Sequence, residues 1–184
     1  NWMSNNLDSE YWRARSAQWE KVTVPVFSAG NWGGFSLHLR GNIEGYVNAA
    51  SKHKKLRVHT GSHFHPFHAE EGRIDQLRWF DYWLKGIENG WSGEAPVQVF
   101  VMGANTWRMA DDWPIPGTIW RDYYLRSGGS ANTAAGDGWL ATERPGVGPK
   151  HPKLRGSKAV EARHDSYRYD PADPVPSRGG HSCC

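Results

Sequence analysis

An α/β architecture is predicted, with a parallel sheet and its crossover helices in the first half of the chain and short strands in the second. Three observations predict it. Two apolar, β-branched runs at residues 22–29 and 56–60 each stop at a glycine-containing loop. Each is followed by a stretch with apolar residues three and four apart, the spacing of one helix face. Beyond Pro96 the pattern changes to short apolar runs divided by Gly- and Pro-containing turns. Strand, helix, strand, helix in succession is the order of a parallel sheet, whose ligands gather beyond the carboxyl ends of its strands. The two strand-end loops are therefore where chemistry is expected.

The first strand, 22–29, runs into the loop Gly30-Asn-Trp-Gly-Gly34. Ile43, Tyr46, Val47 and Ala50 then mark a helix through about residue 51. Lys52, Lys54, Lys55 and Arg57 sit where that helix should end, so the negative end of its dipole accounts for this basic cluster ahead of any phosphate-binding role. The second strand, 56–60, leads into Gly61-Ser-His-Phe-His-Pro-Phe-His68, a loop with three of the nine histidines. Between 69 and 89, Ile74, Leu77, Phe80, Leu84 and Ile87 form one apolar stripe and Trp79 and Trp83 a second, with Gly90 as the stop. An apolar face that wide predicts a helix covered on two sides, by the sheet and by something else. After Trp91-Ser-Gly-Glu-Ala-Pro96, strands are expected at 96–102, 118–125 and 138–142. A domain boundary is placed near 88–95, dividing the chain into 1–90 and 91–184.

The chain of 184 residues is long enough for one ordinary domain or one and a half small ones. Mean hydropathy is −0.72, a polar average, but the 11 Trp, 7 Tyr and 6 Phe supply large buriable areas for a core. Lys and Arg exceed Asp and Glu by only 3 charges, with no long run of one sign, so no nucleic-acid partner is expected. No apolar run approaches the roughly 20 residues of a membrane span, so no membrane partner is expected either. The two cysteines, Cys183 and Cys184, are adjacent and provide no disulfide framework.

No serine stands in a G-x-S-x-G elbow, and the paired cysteines have no sequence context for catalysis. The layout instead matches the later half of an α/β-hydrolase, in which the nucleophile comes first, an acid follows one strand and a His follows the next. That order puts the serine ahead of Asn1, and the chain, opening at Asn1 and closing in Gly-Gly-His-Ser-Cys-Cys, reads as a piece of a longer protein. His63, just past the second strand, is the candidate general base, because an imidazole with a pKa near 6.5 shuttles protons at neutral pH. The plain alternative is a surface-loop histidine. His59, inside the strand, reads as a packed core residue. The rival chemistry is zinc: His63-x-His65-x-x-His68 resembles the H-x-H-x-D-H ligand run of metallo-β-lactamase-like hydrolases. Phe67 holds that motif's Asp position and no later ligands are placed to complete it, so no metal and no cofactor is expected.

Leu56-Arg-Val-His-Thr-Gly-Ser-His63, Trp79-Phe-Asp-Tyr-Trp-Leu-Lys-Gly86 and Val97-Gln-Val-Phe-Val-Met-Gly103 occur in that order, followed by Trp107-Arg108 and Trp113-Pro114. Together they resemble the CocE/NonD hydrolases, which include cocaine esterase-like enzymes and X-Pro dipeptidyl-peptidases. The resemblance runs from Tyr11-Trp-Arg to Tyr169-Asp-Pro-Ala-Asp-Pro-Val-Pro176. It implies the C-terminal part of an α/β-hydrolase sheet followed by the start of a β jelly-roll domain. It implies a small acyl ester or peptide substrate and His63 as the catalytic His. The family's acid lies in a G-G-W-x-D-like run, and in the matching Gly30-Asn-Trp-Gly-Gly34 the acid's place is taken by Gly34. A His without an orienting carboxylate loses its tautomer bias. Glu44, Glu70 and Glu71 stand as substitutes, with nothing in the sequence to choose among them.

Other residues have two readings each. Trp32 lines an acyl pocket or plugs the sheet end, Asp81 with Lys85 at i+4 makes a structural ion pair, and Asp170 with Asp173 makes a rigid turn or a Ca²⁺ site. As a different class of function, a jelly-roll binding module would present Trp107, Trp113, Trp120 and Trp139 to sugars or peptides.

Overall fold

The computed structural model describes residues 3–34, 38–62, 64–133, 136–144, 165–168 and 170–172. They fall into two compact units, one reaching Gly117 and one beginning at Thr118.

The first unit is built on a four-stranded sheet in the order β1-β2-β3-β4, comprising β1 (Val26–Asn31), β2 (Lys54–His59), β3 (Val97–Val101) and β4 (Thr106–Ala110). The first three are parallel, and β4 returns antiparallel to β3 through a tight turn at Gly103 and Asn105, both at positive φ. The crossovers carry α2 (Arg40–Asn48) and then α3 (His65–His68) and α4 (Glu70–Lys85), while a short helix α1 (Glu10–Arg13) precedes the sheet. The expected α/β core is thus present. β1 begins four residues later than expected because Pro25 has no N–H to donate to the sheet; its first ladder bond is from Val26 N to His53 O at 2.9 Å. β4 was not anticipated.

The two faces of this sheet differ in chemistry. Leu56, Val58, Val97 and Val99 point to one side and, with Leu39 and Tyr46, form the buried apolar core under α2. Alternation sends Phe27, Lys55, Arg57 and His59 to the other side, under α4. There Trp79 of α4 packs against Phe27 and Trp91, with ring centroids 5.8 and 5.5 Å apart, and Trp83 stacks beyond it. The aromatic stripe is therefore the one that covers the sheet. The aliphatic stripe, from Ile74 to Leu84, stays exposed among the described residues, so only one of the two expected covers is present.

α4 ends at Lys85, not near Asn89. Gly86 takes the left-handed conformation (φ 68°), and Gly86 N and Ile87 N cap the Tyr82 and Asp81 carbonyls. The anticipated stop, Gly90, instead opens the one-turn helix that begins at Trp91. The basic cluster divides likewise. Lys54 Nζ reaches the carbonyls of Val47 and Ala49 at the end of α2, as the dipole argument required, but Lys55 and Arg57 lie in β2 and face α4.

Those two cations are paired beneath α4. Lys55 Nζ donates to Trp91 O at 2.6 Å and lies 3.3 Å from Glu94 Oε2. Arg78 donates to Glu94 Oε1 at 2.6 Å, and Arg57 pairs with Asp75. Burial pushes the Lys55 ammonium below its usual value against the opposing pull of Glu94. Burial pushes Glu94 up, but the Arg78 hydrogen bond and the Lys55 and Arg78 charges outweigh it and hold the carboxyl below its usual 4.5. A depressed folded-state carboxyl contributes stability that is present above about 4.5 and lost as pH falls through the folded value. For Lys55 the unfolded chain binds the proton more tightly, so stability rises as pH climbs toward 10.5. Glu94→Gln should cost roughly 1–3 kcal/mol at pH 7, since it strands two partly buried cations that keep some access to water. Urea unfolding from pH 7 to pH 3 should show the variant losing less stability on acidification than the parent.

In the second unit, β5 (Tyr124–Arg126) pairs antiparallel with β6 (Trp139–Ala141). The Gly/Ser segment between them is ordered by two carboxylates. Asp137 accepts from Gly128 N and Ser130 N, both at 3.1 Å, and Asp165 accepts from Ser127 Oγ and Ala131 N, both at 2.9 Å. The strand expected at 118–125 is reduced to its last two residues plus Arg126.

Candidate functional site at the carboxyl ends of the parallel strands

The β1–β2 register sets Asn31 directly beside His59, the last residue of each strand. Asn31 is 1% exposed. Its Oδ1 accepts from Gly33 N at 2.6 Å and Gly34 N at 3.2 Å, folding the Trp32–Gly34 turn inward. Its Nδ2 lies 3.0 Å from His59 Nδ1, 3.1 Å from Gly61 O and 3.2 Å from Ser62 O. One buried carboxamide thus ties the loop after β1 to the turn after β2. His59, expected as plain core, is half-buried and belongs to this network. The buried Gly34 contributes its backbone N–H to the same knot.

A cavity of about 780 Å³ opens between the sheet, α3 and α4. Phe27, Phe64, Phe67, Trp79 and Trp107 give it apolar walls, and Arg57, His59, His68, Glu71 and Asp75 give it polar ones. The segment 64–68, expected as loop, closes into the turn of α3. Its position is fixed on α4 by Gln76, whose Nε2 donates to Phe67 O at 2.9 Å, and by Gly72, where any Cβ would collide with the Pro66 carbonyl. Arg57 and Asp75 pair with each other, and His59, His68, Glu71 and Gln76 complete the polar part of the wall.

The sequence candidates separate accordingly. His63 and the side chain of His65 lie outside the described residues, as do Asp173 and Tyr169. Among the described residues no three His, Cys, Asp or Glu side chains gather as a metal site would require. Of the substitute acids, Glu71 lines the cavity. Glu70 is chelated by Arg73 at 2.6–2.7 Å, and Glu44 pairs with Arg40 and Asn48 on α2. Trp32 donates Nε1 to Phe100 O at 2.8 Å and packs on the apolar core, so it plugs the sheet end and does not line the cavity. Asp81 and Lys85 form the expected ion pair at 2.6 Å. Trp107 and Trp113 belong to the first unit, and Trp120 and Trp139 to the second. Asn31 was missed as a functional candidate. Its position opposite His59 follows from a register that neither loop shows in isolation.

The three parallel strands, their crossover helices and the polar knot at the strand ends define an α/β domain with a candidate site at the carboxyl edge of its sheet. Residues 89–170 match the X-Pro dipeptidyl-peptidase C-terminal non-catalytic domain. Over 111 residues the chain is 40% identical to the cocaine esterase of Rhodococcus sp. (strain MB1 Bresler), covering 60% of this chain and 17% of that protein. A protein of Bacillus anthracis carrying the name Xaa-Pro dipeptidyl-peptidase is 36% identical over 66 residues, 36% of this chain and 11% of its own length. The crystal structure of a CocE/NonD family hydrolase from Staphylococcus aureus superposes with a TM-score of 0.63 at 26% identity, over 68% of this chain and 23% of that one. The chain is similar in sequence and in fold to hydrolases of the CocE/NonD kind. It spans less than a quarter of the length of these relatives. The matched domain starts at residue 89, whereas the compact units divide at Gly117 and Thr118, because the β3–β4 hairpin completes the first sheet. Among the described residues no helix is long and apolar enough to cross a membrane.

Proposed function

We propose that the complete protein is a serine hydrolase that cleaves ester or amide bonds, X-Pro dipeptidyl bonds included, through an acyl-enzyme. His63 is its general base, and polypeptide outside this chain supplies the nucleophile and the oxyanion hole. The observation that carries this reading is the knot at the strand ends. Asn31 holds the carbonyls of Gly61 and Ser62, the two residues before His63, at the end of a parallel sheet where such a site belongs. The names of the relatives supply the substrate classes, a small acyl ester or an X-Pro peptide. Glu71 is the carboxylate we assign to the missing acid's role, since it alone of the three substitutes lines the cavity. The jelly-roll continuation beyond the first unit is part of the same proposal and rests on the family.

The test is made on the full-length protein. Expected are turnover of p-nitrophenyl acyl esters or of an Xaa-Pro anilide, and covalent labelling by a fluorophosphonate at a serine outside these 184 residues. A protein that hydrolyses neither substrate class and takes no label would end the proposal.

A further inference from the structure

We propose that Asn31 is a positioning residue, whose buried carboxamide locks His59 as the Nε2–H tautomer and fixes the turn at Gly61 and Ser62. The orientation of the amide is set without reference to the histidine. One end receives two backbone N–H groups, from Gly33 and Gly34, so it is the oxygen. The other faces two backbone carbonyls, of Gly61 and Ser62, so it is the nitrogen.

That nitrogen only donates, and it lies 3.0 Å from His59 Nδ1. Nδ1 must therefore offer its lone pair, and the ring proton of the neutral imidazole sits on Nε2. The competing arrangement is Nδ1–H donating to Thr60 O, 3.4 Å away. It would set an N–H against an NH₂ at the shorter distance and exchange a good hydrogen bond for a marginal one. The two amide protons serve three acceptors, so His59 takes one and the two carbonyls share the other. A buried amide engaged at both ends is costly to disturb, because every lost partner leaves a desolvated polar group behind. Nδ1 of His59 in consequence offers no lone pair for base catalysis.

The experiment reads the tautomer directly. In a long-range ¹H–¹⁵N spectrum of the 184-residue chain at pH 8, with His59 assigned by its loss in His59→Gln, the inference expects an unprotonated Nδ1 and a protonated Nε2. Asn31→Asp, which can no longer donate, should move the proton to Nδ1. A wild-type Nδ1–H form, or an averaged mixture of tautomers, overturns the inference. So does a folded Asn31→Asp variant with an unchanged spectrum. If that variant fails to fold, the wild-type spectrum decides alone. A kinetic arm rests on the hydrolase reading: in the full-length enzyme Asn31→Ala should lower kcat about 10- to 100-fold with KM within about twofold. A folded Asn31→Ala enzyme with parental kcat overturns the positioning role. Absence of hydrolysis by the wild type ends the hydrolase reading and leaves the tautomer result standing.

Discussion

Replacing His63 by alanine in the full-length protein should lower kcat on acyl esters by about 10²- to 10⁴-fold while KM changes little. The expectation combines the family resemblance with an elimination. Among the described residues His59 and His68 line this cavity. The Nδ1 lone pair of His59 is engaged by Asn31, and its other nitrogen carries the proton, so His59 is not free to act as base. His68 sits at the end of α3 on the outer wall, its ring against Phe67. His63 is the one that follows the clamped turn. His59→Gln, which preserves an acceptor for Asn31, should therefore stay within about tenfold of the parent, and His68→Ala within about threefold, given the loss expected of a true base. The parent should show an acid limb in kcat/KM in the imidazole range, near pH 6.5, and His63→Ala should lack it. A His63→Ala enzyme as fast as the parent, or a larger loss in His59→Gln, would remove His63 from the mechanism.

Apolar periodicity made the parallel sheet legible, because period-2 and period-3.6 patterns are imposed by burial on one face. Leu56 and Val58, for instance, are buried at alternate positions along β2. What it could not show was which of two faces a partner covers. Both stripes of α4 are apolar, and the choice of Trp79 over Leu77 was made by Trp91, just past the helix, and by Phe27, far away in sequence. Termini were hard for a local reason. Gly86 and Gly90 are equivalent as letters, and the Tyr82 and Asp81 carbonyls decide that Gly86 is the cap. Of the candidate site, only its place at the two strand-end loops was legible. A histidine after a strand can be read in one dimension, whereas the knot formed by Asn31 exists only because β1 and β2 pair in one register.

Trp91 shows the same limit most sharply and yields the largest expected loss of stability. In sequence it opens Trp91-Ser-Gly-Glu-Ala-Pro96, a run of mostly small and polar residues at the expected domain boundary. In the fold it is 1% exposed and occupies the centre of the α4 side of the sheet. Its ring meets Phe27 at 5.1 Å and Trp79 at 5.5 Å, both edge-on, and carries Lys55 Nζ over its face at 4.5 Å. Trp91→Ala should destabilise the first unit by about 3–5 kcal/mol, the range for emptying a large aromatic site. Lys55 would also lose its cation–π cover, so the Glu94 pairing would weaken with it. Trp91→Phe should be much milder, about 1–2 kcal/mol. Among the described residues the indole Nε1 has no hydrogen-bond partner in its buried position, and phenylalanine removes that desolvated donor along with part of the ring. Urea unfolding followed by far-UV circular dichroism measures both variants. If Trp91→Ala unfolds within about 1 kcal/mol of the parent, the aromatic cluster does not hold α4 to the sheet.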